Sequence, residues 1–134
     1  MAWTDALSLG LRKRVPVILQ TEAAECGLAC LAMVLGYHGV ITDLATLRTR
    51  HAISLKGMTL ASLCKIAQDE KLGFRAVRLQ MRELTQLRLP AILHWDLNHF
   101  VVLKAITGTR VIIHDPESGE RRLTAEEVSR RFTG

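Results

Sequence analysis

The sequence predicts an α+β fold, with helices in the N-terminal half packed on an antiparallel β-meander in the C-terminal half. Before Gly73, apolar residues recur at helical spacing. After Gly73, short apolar runs alternate with turn signals, which is typical of consecutive strands. The chain has 134 residues, of which 49% are hydrophobic and 23% charged, so it can build one core but is too short for two. We therefore expect a single domain over residues 15–134.

The first residues differ in character from this domain. Residues 1–14 end in a basic cluster after a short apolar stretch, the reverse of a signal peptide. We expect them to form a weakly ordered basic arm. Residues 15–18 are expected to be extended, because Pro16 is disfavoured inside a helix.

Three helices are expected next. The first covers about 26–35 and is apolar on every side, which is typical of a buried central helix. Gly36 is expected to cap its C-terminus. Asp43 or Thr42 is expected to begin the second helix, and the third is expected to cover 59–72.

The second half of the chain is expected to form five strands and one helix. Thr124 and Glu127 have the spacing of a capping box, which predicts the start of a short final helix. The expected strands cover 74–79, 91–95, 100–106, 111–114 and 120–123.

The sequence contains three cysteines, an odd and small number that favours a reducing compartment over a disulfide framework. Cys30 and Cys64 lie in apolar helical stripes and are expected to be core residues. Cys26 lies in the first turn of the central helix, where free backbone N–H groups and the helix dipole favour a thiolate, and Gly27 leaves room for a substrate. Glu25 opposes this, because an adjacent carboxylate raises a thiol pKa unless it points away or is paired. A nucleophile and an inert core cysteine both remain open.

A cysteine nucleophile needs a base, and the chain has five histidines. His99 opens an expected strand, and Asp115 ends the next one, so a hairpin can bring the two side chains together. Such a carboxylate would fix the tautomer of the imidazole and stabilise the imidazolium. For both to face one side of the sheet, Val101 must lie opposite Asp115, which requires an odd loop or a bulge; this register also pairs Ala105 with Val111. The alternative is that Asp115 only begins a turn before Pro116.

Other site chemistries fit the sequence less well. The cysteines form no C-x-x-C pair, and Cys26 and Cys30 are four residues apart, so neither a zinc site nor a thioredoxin-like site is expected. The formal net charge of +5 suits nucleic acid, an anionic membrane surface or the cytosolic face of a transporter. Aromatic residues make up 4% of the chain, too few for a platform that stacks single-stranded bases. The longest uncharged stretch is too short and too polar to span a membrane.

Several motifs occur together in one order along nearly the whole chain. They are residues 20–30 (QTEAAECGLAC), 56–60 (KGMTL), 72–74 (LGF), 98–103 (NHFVVL) and 115–116 (DP) with Gly119. With them, the sequence resembles the bacteriocin-processing, double-glycine leader peptidases. These are the papain-like cysteine-peptidase family thirty-nine, found as the N-terminal cytosolic domain of ABC exporters, and the similarity is greatest to exporters of the colicin V type.

The resemblance implies specific roles. Cys26 would be the nucleophile, His99 the general base and acid, Asp115 the orienting carboxylate and Gln20 the side-chain donor of the oxyanion hole. The substrate would be a bacteriocin-type or microcin-type precursor, cut after a Gly-Gly pair, whose leader binds as an amphipathic helix. The peptidase domain would need no metal and no cofactor, with ATP used only in the transporter's nucleotide-binding domain.

The same resemblance implies partners and a location. The domain would work beside the transmembrane and nucleotide-binding domains of an exporter, at the cytoplasmic face of the bacterial inner membrane, and would bind no nucleic acid. Some related domains have lost the cysteine and only dock the substrate. A non-catalytic docking module is therefore the alternative function, and the presence of Cys26 argues against it.

Overall fold

A computed structural model describes residues 14–51 and 57–134. Helices occupy the N-terminal half and a four-stranded antiparallel sheet the C-terminal half, as the sequence predicts. The helices are α1 (Cys26–Tyr37), α2 (Leu44–Arg50), α3 (Leu60–Asp69) and α4 (Ala125–Arg131), and the 3-10 helices are Ala23–Glu25 and Met81–Gln86. The strands are β1 (Ala91–Trp95), β2 (His99–Thr107), β3 (Arg110–Asp115) and β4 (Gly119–Thr124). Apart from the exposed Arg14, the expected basic arm lies outside the described residues. None of the described helices is long and apolar enough to cross a membrane.

The sheet is a simple meander in the order β1-β2-β3-β4, and its strand β2 packs on both faces. Alternate residues of β2 enter different hydrophobic clusters, as the two-residue period of a strand dictates. Phe100 and Val102 pack with α1, whereas Val101 and Leu103 pack in a second cluster with Val128 of α4. This arrangement fixes β2 between two apolar layers.

Helix α1 is the centre of the larger cluster, and every residue from Cys26 to Leu35 in it is buried. The helix does not end at Gly36 as predicted. It continues to Tyr37, and Gly39 takes the left-handed conformation beyond it with φ +89°. Gly36 has another role, since a Cβ at this position would lie 2.7 Å from Cγ of Pro16. Its missing side chain lets the segment before Gln20 pack directly on α1.

The predicted register of the β2–β3 hairpin is confirmed near the start of β2 and wrong near the turn. The observed pairs include Val102 with His114, Leu103 with Ile113, Ala105 with Ile112 and Ile106 with Val111. A β-bulge between Leu103 and Ala105 shifts the register, leaving Lys104 as the extra residue. Ala105 therefore does not face Val111, but the bulge restores the register that the end of β3 requires.

Two expected elements differ from the structure. Residues 74–79 form no strand, and those from 74 to 78 are exposed. An extended segment becomes a strand only when a neighbouring strand pairs with it, and among the described residues none does. Helix α3 ends at Asp69, three residues before the predicted end, because Lys71 already takes the left-handed conformation with φ 62°. The second helix begins with the predicted cap, in which the Asp43 carboxylate accepts a hydrogen bond from the Thr46 N–H.

Candidate active site

Three elements bring the predicted cysteine, histidine and aspartate together. Cys26 is the first residue of α1, His99 is the first residue of β2 and Asp115 is the last residue of β3. The distance between His99 Nε2 and Asp115 Oδ1 is 2.8 Å. All three residues are buried, with 4%, 8% and 3% of their surfaces exposed, respectively. The hairpin pairing predicted from the sequence therefore exists in the structure.

The imidazole of His99 has two different partners. Because the carboxylate of Asp115 can only accept, Nε2 must donate to it, and Nδ1 is left for the Cys26 thiol. Burial lowers the pKa of His99, but hydrogen bonds to Asp115 and to Cys26 outweigh it and raise this pKa from 6.5 to about 10. The site thus favours an imidazolium facing the sulfur.

Asp115 is held in place by its own turn. Its Oδ1 accepts a second hydrogen bond, at 2.9 Å, from the backbone N–H of Glu117. Burial alone would raise the pKa of the Asp115 carboxyl, but the hydrogen bonds from His99 and from Glu117 lower it below its ordinary value. Asp115 is therefore charged at neutral pH, and its role exceeds that of an ordinary turn residue.

A backbone hydrogen bond holds Gln20 next to the turn that carries Asp115. Its N–H donates to the carbonyl of Pro116 at 2.9 Å, immediately after Asp115 in the chain. Its side-chain oxygen is buried and has no hydrogen-bond partner among the described residues. A half-turn of the amide places its NH₂ group at the same position. Gln20 thus keeps an unused polar group in the interior, unlike an exposed polar residue.

The carboxylate of Glu25, which opposed a reactive Cys26 in the sequence, is paired. Arg48 of α2 binds it through Nε, and the Thr21 hydroxyl donates to it at 2.6 Å. The hydrogen bond from Arg48 outweighs burial and lowers the pKa of Glu25 to about 2. Sequence reasoning missed Arg48, since no local pattern links it to a residue 23 positions away.

The remaining cysteines and Gly27 are explained by packing. Cys30 is fully buried, and burial raises the pKa of its thiol well above the ordinary value, so the prediction of a core residue is confirmed. Cys64 is only half-buried, contrary to expectation. Gly27 does not open a space for substrate, because a Cβ there would lie 3.2 Å from Sδ of Met58 and 3.4 Å from Phe100. Its small size permits close packing of α1 on β2.

One group of side chains in the described part of the chain has the composition of a metal site. Ligand atoms of His99, Asp115 and Glu117 lie within 4.8 Å of one another. Two of the three residues are already joined by the hydrogen bond between Nε2 and Oδ1, which a metal ion would have to replace. The absence of a metal requirement stays a prediction.

Comparisons with known proteins place the chain in a family. The model of the Peptidase C39 family matches residues 14–134. The colicin V secretion/processing ATP-binding protein CvaB of Escherichia coli is 49% identical over 130 residues, which cover 97% of this chain and 19% of CvaB. The lactococcin-G-processing and transport protein LagD of Lactococcus lactis is 32% identical over 126 residues, covering 88% of this chain and 18% of LagD. The chain thus spans about a fifth of these relatives.

Solved structures give the same result. A double-glycine-motif protease from an AMS/PCAT transporter, solved with its leader peptide, has a TM-score of 0.84 and 39% identity, covering 91% of this chain and 88% of its own. The peptidase domain of Streptococcus ComA has a TM-score of 0.81, with 90% and 94% covered, and at 23% identity it shows the shared fold. A match over residues 14–134 and a buried cysteine beside a histidine–aspartate pair lead to one conclusion: the chain belongs to the Peptidase C39 family of cysteine peptidases.

Proposed function

We propose that this chain is a cysteine endopeptidase that uses Cys26, His99, Asp115 and Gln20 to cut a peptide precursor after a Gly-Gly pair. The observation that carries the proposal is the 2.8 Å hydrogen bond between His99 Nε2 and Asp115 Oδ1, which leaves Nδ1 for the Cys26 thiol. This is the arrangement by which a cysteine is activated: a base accepts the thiol proton, and a third group orients the base.

The reaction follows from these contacts. His99 holds the proton of Cys26, and the thiolate attacks the carbonyl carbon of the second glycine, forming a C–S bond and an oxyanion. The backbone N–H of Cys26 and the Gln20 amide donate to this oxyanion. The imidazolium then protonates the leaving amine as the C–N bond breaks. A water molecule, deprotonated by His99, hydrolyses the thioester and releases the leader with Gly-Gly at its C-terminus.

The chain supplies each group that this reaction needs. The nucleophile, the base, its orienting carboxylate and the oxyanion donors are all side-chain or backbone groups of the protein, and the second reactant is water. We therefore propose that the reaction uses no metal and no cofactor. The Asp115 carboxylate, itself held by the backbone N–H of Glu117, then serves to hold the imidazole.

The substrate is proposed from the relatives. CvaB is described as a secretion and processing protein, and the transporter protease with a TM-score of 0.84 is described as acting on a double-glycine motif and was solved with its leader peptide. We propose the same class of substrate for this chain. Because CvaB is about five times longer than the matched region, we further propose that the domain works beside the transmembrane and nucleotide-binding domains of an ABC exporter, at the cytoplasmic face of the inner membrane.

The proposal is tested with a pair of peptides that carry the same leader and differ only before the cut. The Gly-Gly peptide should be cleaved. A peptide with Val in place of the second glycine should lose far more in kcat/KM than a peptide that lacks one apolar side chain of the leader. Cys26→Ala should abolish cleavage without unfolding the protein, and Cys30→Ala is the matched control on the same helix. If Gly and Val are cut equally, or if Cys26→Ala retains turnover, the proposal is wrong. Binding of the Gly-Gly peptide without cleavage would instead indicate a docking module.

A further inference from the structure

The residue before Cys26 is a buried carboxylate held by three neighbours. Glu25 has 3% of its surface exposed, although it precedes the nucleophile directly. Its Oε2 binds Nε of Arg48, and its Oε1 accepts from the Thr21 hydroxyl at 2.6 Å and from the backbone N–H of Glu22 at 3.3 Å. Nη2 of Arg48 also donates to the Thr21 hydroxyl, at 2.9 Å. Thr21, Glu25 and Arg48 therefore form a closed ring of hydrogen bonds, which we call the Glu25 clamp.

The Glu25 clamp joins the parts of the chain that must keep a fixed distance during the reaction. Thr21 is bonded to Gln20, the proposed oxyanion donor, and Glu25 is bonded to Cys26, the proposed nucleophile. Arg48 comes from α2, which packs against α1. On its other side, Gln20 is fixed by the bond from its N–H to the carbonyl of Pro116. Removing Arg48 would thus weaken one of the two anchors of Gln20, because Thr21 would keep only its hydrogen bond to Glu25.

We propose that Arg48 is a positioning residue of the peptidase site, which neutralises Glu25 beside the thiolate and, through Thr21, holds the Gln20 amide at the oxyanion. This rests on the proposed function. Two physical arguments support it. A carboxylate next to a thiolate raises the thiol pKa unless a cation compensates it, and Arg48 is the cation in contact with Glu25. An oxyanion donor is effective only at 2.7–3.1 Å from the developing charge. A small displacement of Gln20 therefore reduces the stabilisation of the transition state more than it reduces the affinity for substrate.

The experiment compares Arg48→Met, Arg48→Lys and the matched control Arg50→Met. Arg50 lies on the same helix and pairs with Glu70 at 2.9 Å, away from Cys26. Two quantities are measured: kcat and KM on a double-glycine peptide, and the pH dependence of Cys26 alkylation by iodoacetamide. The alkylation rate reports thiolate formation without any peptide substrate.

Arg48→Met should lower kcat about tenfold while KM changes less than about twofold, because the loss falls on the transition state. Its alkylation profile should move upward by about one pH unit, since Glu25 is then uncompensated. Arg48→Lys retains the charge but has one nitrogen in place of the two that bind Glu25 and Thr21, so its alkylation profile should match the parent while its kcat stays lowered. Arg50→Met should match the parent in both measurements.

The proposal is overturned if Arg48→Met behaves like Arg50→Met in both measurements. It is also overturned if the loss of rate only follows the folded fraction, measured by circular dichroism, while the alkylation profile stays unchanged. These outcomes are distinct from failure of the proposed function. If the parent cuts no double-glycine peptide, the proposed function fails, but the alkylation profiles of the three variants still decide whether Arg48 acts on Cys26.

Discussion

Replacing Asp115 by Asn tests whether its charge or only its shape supports His99. Oδ1 of Asp115 accepts both from His99 Nε2 and from the Glu117 N–H, at 2.8 and 2.9 Å. An Asn oxygen at the same place accepts both bonds, so the tautomer and orientation of the imidazole are retained while the charge is lost. An opposite charge at this distance shifts a pKa by about 1–3 units. The pKa of His99, raised to about 10 in the parent, should therefore fall by about 1–3 units in Asp115→Asn.

The assay is an NMR titration of the His99 ring, together with the pH profile of kcat/KM. The alkaline limb of the profile should move downward with the pKa of His99, because the imidazolium is the acid that protonates the leaving amine. At neutral pH Asp115→Asn should lose far less activity than Asp115→Ala, since a neutral oxygen fixed by the Glu117 N–H still orients the ring, whereas removal of the orienting group costs about 10⁴-fold. An unchanged His99 titration in Asp115→Asn, or equal losses in both variants, would refute this reasoning.

Three further predictions concern residues around this pair. Gln20→Ala should lower kcat by about 10²–10³ with little change in KM, because the amide serves the oxyanion and not the ground state; a kcat within a factor of about three of the parent would contradict this role. Gly36→Ala should destabilise the fold by about 1–3 kcal/mol in urea unfolding, despite its better helix propensity, because the new Cβ would lie 2.7 Å from Cγ of Pro16; equal or higher stability would show that Pro16 moves aside freely. Glu25 stabilises the fold fully above pH 4.5, and this contribution is lost as the pH falls towards its folded pKa of about 2. Glu25→Gln should remove that acid dependence, worth at most about 3 kcal/mol and less because Arg48 is half exposed to solvent, and an unchanged acid limb would contradict the pairing.

The sequence predicts the His99–Asp115 pair well. The two strands are joined by a short turn, and the two-residue period of a strand determines which side chains share a face. It predicts that a bulge or an odd loop is needed, but not where. The extra residue is Lys104, whose amine bonds Glu120 of β4 at 2.7 Å. Packing on both sheet faces selects that position, and no local pattern carries this information. Gly36 illustrates the same limit. Its position in the sequence predicts a helix cap, whereas in the structure its missing side chain lets Pro16 pack against the helix.

The parts that sequence reasoning missed depend on distant partners. Arg48 reads as one of several surface arginines until the fold brings α2 beside Glu25. Residues 74–79 have strand-like composition, but no neighbouring strand among the described residues pairs with them. The 3-10 helix Met81–Gln86 does carry a local signal, because Gln80 and Glu83 have capping-box spacing and the Gln80 N–H donates to the Glu83 carboxylate at 2.8 Å. Reading that pair as a helix start would have found the element.

The most direct test of the account is the mass of the protein during a single turnover. The domain is mixed with a sub-stoichiometric double-glycine precursor, quenched in acid within the first turnover, and analysed by intact mass and peptide fragmentation. The account predicts a thioester that joins the leader, ending in Gly-Gly, to Cys26, followed by free leader cut after the second glycine. A precursor that stays whole, or one that is cut with no adduct on Cys26 and with Cys26→Ala equally active, would contradict the central claim.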